Sequence, residues 1–125
     1  MDDIEIVAYD PNWPALFEHE ATRLRAALNG EPITGLEHFG STAIAGLAAK
    51  PIIDILIAVP TLAAARANFP AKLKVLDYVF WSDNPKADRL FFVKGMPPYG
   101  ERRTHHVHVT EPAPDVSRLP ARPPR

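Results

Sequence analysis

An almost unbroken apolar segment, Ile52–Val59, lies between Pro51 and Pro60 and is the strongest constraint on the fold. Its length and β-branched content are typical of a strand that is buried on both faces. Asp54 is the single charged residue in this segment. Because a buried carboxylate is unfavourable unless it is paired or holds a metal ion, the segment predicts a core strand that carries a candidate metal ligand.

A glycine–serine pair precedes this strand, in the sequence Phe39-Gly40-Ser41-Thr42. If a helix begins here, its first backbone amides are free to bind phosphate, and a glycine allows the ligand to approach closely. The alternative is a tight strand-to-helix turn in which Ser41 or Thr42 caps the helix. Gly40, Ser41 and Thr42 are therefore candidate phosphate-binding residues.

Three histidines stand close together in a predicted strand that runs from Arg103 to Thr110. Successive side chains of a strand alternate in direction, so His106 and His108 should share one face and His105 the other. Two imidazoles on one face can bind a transition metal, contact a phosphate or exchange protons, although strand histidines are often only polar sheet residues. The same site would draw in residues of neighbouring strands, namely Glu37, His38 and Asp54.

Two cations are candidate ligands of a phosphate. Lys50 stands just before the core strand and can reach a phosphate, although a lysine there is more often a solvated loop charge. The planar guanidinium of Arg103 can clamp phosphate oxygens. Either cation is also a candidate ion-pair partner for Asp54.

The order of elements predicts an α/β (α+β) fold, a small mixed β-sheet flanked by helices. Helical spacing predicts a first helix from Trp13 to about Gly30, with Leu16, Phe17, Leu24 and Leu28 buried. Thr61 should cap another helix, which Asn68-Phe69-Pro70 interrupts before it continues or restarts. Further strands are predicted at Ile4–Tyr9, Ile33–Phe39, Asp77–Ser82 and Arg89–Lys94.

The composition excludes several classes of function. The formal net charge of −1 argues against a large nucleic-acid footprint, and the absence of cysteine excludes disulfides and thiolate chemistry. Met1-Asp2-Asp3 is acidic where a signal peptide would be basic, and no apolar run reaches the length of a transmembrane helix. We therefore expect a cytoplasmic protein without membrane contact.

The segment from Glu37 to Ile57 resembles the core motif of the GrpB (UPF0157) family, which is placed in the nucleotidyltransferase superfamily, and the resemblance extends from Tyr9 to Val109. The superfamily pattern has a hydrophobic residue, Gly, then Gly or Ser, followed after a spacer by two carboxylates that alternate with apolar residues. Gly40-Ser41 and Asp54 match this pattern, but Leu56 stands where the second carboxylate is expected.

The resemblance implies a nucleotidyltransferase-like fold in one domain, residues 1–110. The proline-rich residues 111–125 lack periodicity and are expected to form an extended or disordered tail. Relatives usually continue with further helices packed on the sheet. If those helices are absent, a homodimer could cover the exposed sheet face.

The resemblance also implies a ligand, a nucleotide or another phosphate-bearing small molecule, with Mg²⁺ or Mn²⁺ as the cation and Zn²⁺ as a less favoured choice at the histidines. The implied sets are catalytic Asp54, His106 and His108; ligand-binding Gly40, Ser41, Thr42, Lys50 and Arg103; and metal-binding Asp54, Glu37 and His38.

Three functions stay open on this sequence. Metal-dependent nucleotidyl transfer uses paired carboxylates, so Leu56 favours a module that binds the ligand without catalysis. A histidine-rich metal site for hydrolysis is the third. Some family members are fused to dephospho-CoA kinase, which suggests a connection to nucleotides or coenzyme A.

Overall fold

The computed structural model describes residues 6–81, 89–97 and 100–111. The start of the predicted strand Ile4–Tyr9 and almost all of the predicted tail at 111–125 lie outside these residues, so the proposed division into domain and tail stays a prediction. Within the described part, Val7 pairs with Ala49 in an isolated antiparallel bridge. Neither described helix is long and apolar enough to cross a membrane.

A five-stranded mixed sheet forms the body of the protein. In chain order the elements are α1 (Trp13–Ala27), β1 (Gly35–Phe39), a 3₁₀ turn (Ser41–Ala43), β2 (Ile53–Ala58), α2 (Leu62–Lys74), β3 (Tyr78–Phe80), β4 (Arg89–Lys94) and β5 (His105–Thr110). The strand order in the sheet is β1-β2-β5-β4-β3. The pair β2 and β5 is parallel, and the other three pairs are antiparallel. The expected α+β fold with a small mixed sheet is therefore confirmed.

The apolar run folds into β2, but the expectation that both faces of this strand are buried is wrong. Alternate side chains of β2, namely Ile53, Ile55 and Ile57, pack in the core against buried residues of both helices. The intervening side chains are half-buried on the opposite face, and these are Asp54, Leu56 and Ala58. Because both described helices join one core cluster, the sheet has a helix face and a second face that we call the site face.

In helix α1 the observed buried side chains differ from the predicted apolar stripe. Leu16 was expected in the core and is 47% exposed, whereas Glu20, which the stripe excludes, is 3% exposed. Trp13, Phe17 and Leu24 are buried as expected. The buried side of α1 is therefore rotated relative to the apolar pattern, because Glu20 has polar partners beneath the helix.

The expected interruption of the second helix is also wrong, since α2 runs without a break through Pro70. Proline inside a helix costs about 3 kcal/mol because it removes a hydrogen bond and crowds the preceding turn. Phe69 and Leu73 are almost completely buried, and burying each contributes roughly 1.5–3 kcal/mol. Tertiary packing of these two side chains is large enough to offset the proline.

A buried polar cluster joins α1 to the sheet on the helix face. The Glu20 carboxylate accepts hydrogen bonds from the Tyr78 hydroxyl at 2.7 Å and from Lys94 Nζ at 2.8 Å, and His105 Nε2 lies 4.0 Å from its other oxygen. Burial by itself raises the pKa of Glu20, but the bonds from Lys94 and Tyr78 and the neighbouring charges leave that pKa lowered. Glu20 is therefore a charged, satisfied core residue.

We expect Glu20→Gln to destabilise the protein by about 3 kcal/mol, because the Lys94 ammonium keeps its burial and loses its counter-charge. Urea unfolding followed by circular dichroism measures this loss. Glu18→Gln is the matched control, since Glu18 lies on the same helix and is exposed. Equal stability of the two variants would contradict the role given to the buried cluster.

Candidate functional site

The parallel ladder between β2 and β5 assembles the candidate site on the site face. Asp54 pairs in register with His106, and Leu56 pairs with His108. As a result, Asp54 Oδ1 lies 3.3 Å from His106 Nδ1 and 3.9 Å from His108 Nε2. The expected facing of His106 and His108 is observed, with His105 on the helix face beside Glu20.

These three side chains form a group that could hold a metal ion. One donor atom from each of Asp54, His106 and His108 lies within 4.8 Å of the others. The remaining ring nitrogens, Nε2 of His106 and Nδ1 of His108, are buried and have no hydrogen-bond partner within residues 6–81, 89–97 and 100–111. The arrangement can bind a cation or relay a proton through Asp54.

His108 is kept neutral at physiological pH. Burial lowers its pKa to about 4 against the opposing pull of the Asp54 charge, and neighbouring Arg89 and His106 lower it further. A neutral imidazole offers a lone pair to a metal ion without first losing a proton. His108 is therefore suited to be a ligand rather than a cationic clamp.

Aromatic side chains hold the two imidazoles in place. The ring of Phe91 lies 5.1 Å from that of His106 and 4.8 Å from that of His108, and the ring of Phe39 lies 5.2 Å from His108. Such packing restricts rotation of the imidazoles. Sequence reasoning missed Phe39 and Phe91, although the alternation of β1 and β4 could have placed them on one face.

The two other expected metal ligands lie outside the group. Glu37 is on the site face of β1, opposite Leu56. His38 points to the helix face, where its ring stacks on Phe17 at 4.9 Å and its Nε2 lies 2.8 Å from Thr42 Oγ1. Alternation along β1 separates neighbouring residues, so the structure does not bring Glu37 and His38 together at the cation position.

The glycine–serine segment forms a tight turn and not the start of an α-helix. It contains a single 3₁₀ turn, and neither Ser41 nor Thr42 provides the expected cap, because the cap position is Gly40 and makes no side-chain cap bond. Thr42 is buried, and its hydroxyl donates to the Ile52 carbonyl at 3.3 Å. The side chain of Thr42 therefore ties the turn to the start of β2.

Gly40 allows this turn to pass directly over the carboxylate. Its φ of +79° and ψ of −166° are nearly restricted to glycine, and an added Cβ would lie 2.8 Å from Asp54 Oδ2. The glycine is therefore required both by backbone conformation and by the close approach to Asp54.

A cleft of about 510 Å³ joins the turn to the Asp54–His106–His108 group. The expected residues that line it are Gly40, Ser41, Thr42, Lys50, Asp54, His106 and His108. Arg103 lies elsewhere: its guanidinium stacks on Trp81 at 5.2 Å, in a smaller groove with Met96 and Pro97. The structure thus brings together all the expected ligand-binding residues except Arg103.

We expect Gly40→Ala to destabilise the protein by about 1–3 kcal/mol more than Gly46→Ala, measured by urea unfolding. Gly46 is the matched control because its φ is +81° but an added Cβ would meet nothing within 4 Å. The control therefore shares the positive φ without the collision at Asp54. Equal losses in the two variants would show that contact with Asp54 is not what requires Gly40.

Comparisons with known proteins agree on one family. A family model described as GrpB protein matches residues 3–119. The chain is 53% identical over 108 residues to a UPF0157 protein of Pseudomonas aeruginosa, a match that covers 86% of this chain and 44% of that protein. It is also 43% identical over 65 residues to a dephospho-CoA kinase of Mycolicibacterium paratuberculosis, covering 50% of this chain and 16% of the kinase.

A solved structure has the same fold. The crystal structure of conserved protein GrpB from Enterococcus faecalis superposes with a TM-score of 0.75 and 31% sequence identity, covering 86% of this chain and 61% of that one. The chain thus spans less than two thirds of the length of each of these three relatives.

Proposed function

Because this chain belongs to the GrpB family, we propose that its cleft binds a nucleotide or a related phosphate-bearing small molecule together with a metal ion. The observation that carries the proposal is the convergence of the Gly40–Ser41 turn and the Asp54–His106–His108 group on one cleft. The turn would contact the phosphates, and the cation would bridge them to Asp54.

The size and lining of the cleft support a small ligand of this kind. Its volume of about 510 Å³ is within the usual range for small-molecule sites. Lys50 at the lining adds a positive charge for phosphate, and Ser41 adds a hydroxyl. Apolar lining from Leu47 and Ile52 gives the rest of a ligand a surface to pack against.

The residue at position 56 favours ligand binding without catalysis over nucleotidyl transfer, because it is a leucine and not a carboxylate. Leu56 occupies the site-face position two residues after Asp54, between Glu37 on β1 and His108 on β5. A second carboxylate projecting from this position is what a two-metal transfer mechanism would use. Nucleotidyl transfer is the second candidate, and it rests on the placement of Asp54 beside the Gly40–Ser41 turn.

The similarity to a dephospho-CoA kinase makes coenzyme A a ligand to test beside nucleotides. The matched stretch is only 16% of the kinase, so the kinase activity in that protein's name belongs to the whole protein and is not assigned to the matched stretch. Coenzyme A carries both a nucleotide and several phosphates, which is the chemistry that the cleft would recognise.

We expect ATP, GTP or coenzyme A to stabilise the wild type against heat only when a divalent cation is present. A ligand at 100 times its dissociation constant contributes about 2.7 kcal/mol, which raises the melting temperature by several degrees. Asp54→Asn should abolish the shift, and Lys50→Gln should weaken it. Lys74→Gln, at an exposed position of α2, is the control for loss of one positive charge. A well-folded sample that responds to no ligand would refute the proposed function.

Restoring the missing carboxylate tests the second candidate. We expect Leu56→Asp to create or raise metal-dependent release of pyrophosphate from a nucleoside triphosphate, because it places a second carboxylate next to Asp54 on the same strand face. Ala58→Asp is the matched control, since it lies on the same face two residues further along β2. A folded Leu56→Asp protein without any gain would rule out loss of a single ligand as the explanation.

A further inference from the structure

We infer that the cation of this site is a single transition-metal ion, Zn²⁺ or a similar first-row ion, bound by His106 Nδ1, His108 Nε2 and Asp54 Oδ1. This inference deepens the proposed function and rests on it for the phosphate ligand that would complete the coordination. It departs from the expectation of Mg²⁺ or Mn²⁺ held by Asp54, Glu37 and His38.

The donor spacing fits a small tetrahedral ion. Metal–ligand bonds of about 2.0–2.1 Å in tetrahedral geometry place donor atoms about 3.3 Å apart. The carboxylate oxygen of Asp54 lies 3.3 Å from His106 Nδ1 and 3.9 Å from His108 Nε2. All three donor atoms lie within 4.8 Å of one another, so side-chain movements of about 1.5 Å or less would bring the set to tetrahedral spacing around zinc.

The donor chemistry selects against Mg²⁺. Magnesium requires oxygen ligands in octahedral geometry, whereas two imidazoles with one carboxylate suit zinc, iron and related ions. The group contains Asp54 as its one carboxylate, and Glu37 is not part of it. Leu56, on the same strand face, offers no oxygen. Leu56 thus weakens the case for a site with two magnesium ions but does not affect a site in which two histidines and Asp54 bind one ion.

The two rings are oriented but not engaged by other hydrogen bonds. Phe91 packs against both rings and Phe39 against that of His108, and the outward nitrogens, Nε2 of His106 and Nδ1 of His108, have no hydrogen-bond partner among the described residues. The inward nitrogens, His106 Nδ1 and His108 Nε2, face Asp54 Oδ1. A cation bound to these inward nitrogens would leave the proton of each ring on its outward nitrogen.

Three protein ligands leave at least one coordination position for another group. Asp54, His106 and His108 all line the cleft, together with Ser41 and Lys50. A metal bound from the sheet surface would therefore present its open position to the cleft, where a phosphate oxygen or a water molecule can complete the coordination. Open positions of this kind distinguish reactive or ligand-binding zinc sites from structural ones.

The test is isothermal titration of the full chain, stripped of metal with a chelator, with Zn²⁺ and separately with Mg²⁺, without any phosphate compound. We expect one Zn²⁺ per chain and far weaker Mg²⁺ binding. Each of His106→Gln and His108→Gln should weaken Zn²⁺ binding at least about tenfold, since even outer-shell changes cost 10–100-fold. His105→Gln should leave it unchanged.

His105 is a stringent control for this experiment. It lies on the same strand with the same 16% side-chain exposure as His106, and it too stands near a carboxylate, but on the opposite face of the sheet. If the histidine variants do not fold, the wild type still decides: Zn²⁺ should shift the ring-nitrogen resonances of His106 and His108 in ¹⁵N NMR spectra and not those of His105.

Two results would overturn the inference: Mg²⁺ binding within tenfold of the affinity for Zn²⁺, or unperturbed ring nitrogens of His106 and His108 in saturating Zn²⁺. Failure of the proposed function is distinguishable, because it is measured by nucleotide and coenzyme A shifts. A protein that binds Zn²⁺ at these residues and responds to no phosphate ligand would refute the proposed function and support the metal site.

Discussion

The parallel pairing of β2 with β5 at the centre of the sheet determines which side chains meet on each face. In this register Asp54 is opposite His106 and diagonal to His108. A shift by one residue would exchange the faces and place His105 beside Asp54. The site is therefore carried by regular strands inside a five-stranded sheet, where backbone hydrogen bonds on both sides hold the donor atoms in place.

The two faces of the sheet hold opposite kinds of polar group. On the helix face, the buried Glu20 carboxylate receives hydrogen bonds from Tyr78 and Lys94, so its charge is compensated within the fold. On the site face, His106 and His108 each have a buried nitrogen without a hydrogen-bond partner among the described residues, and their other nitrogens face Asp54 beside an open cleft. The satisfied Glu20 cluster contributes to stability, whereas the site face is where we propose that a ligand binds.

The turn after β1 connects the two faces. Thr42 is held on the helix side by His38 and by the Ile52 carbonyl, while Gly40 passes over Asp54 on the other side. His38 therefore contacts the turn through Thr42 on the helix side and lies outside the cation group. Because the Thr42 hydroxyl donates to the Ile52 carbonyl, its oxygen accepts from the Nε2–H of His38, and burial lowers the pKa of this ring.

The family, the mixed sheet, most helix and strand positions, and the facing of His106 and His108 could be predicted from the amino-acid sequence, because local periodicity and a long specific motif carry that information. The other features depend on tertiary contacts. The continuity of α2 through Pro70 depended on packing of Phe69. The absence of Glu37 and His38 from the cation group depended on the alternation and register of β1, and the position of Arg103 away from the cleft depended on the loop path before β5. Distances between side chains on different strands are set by pairing partners far apart in the chain, and no local pattern specifies them.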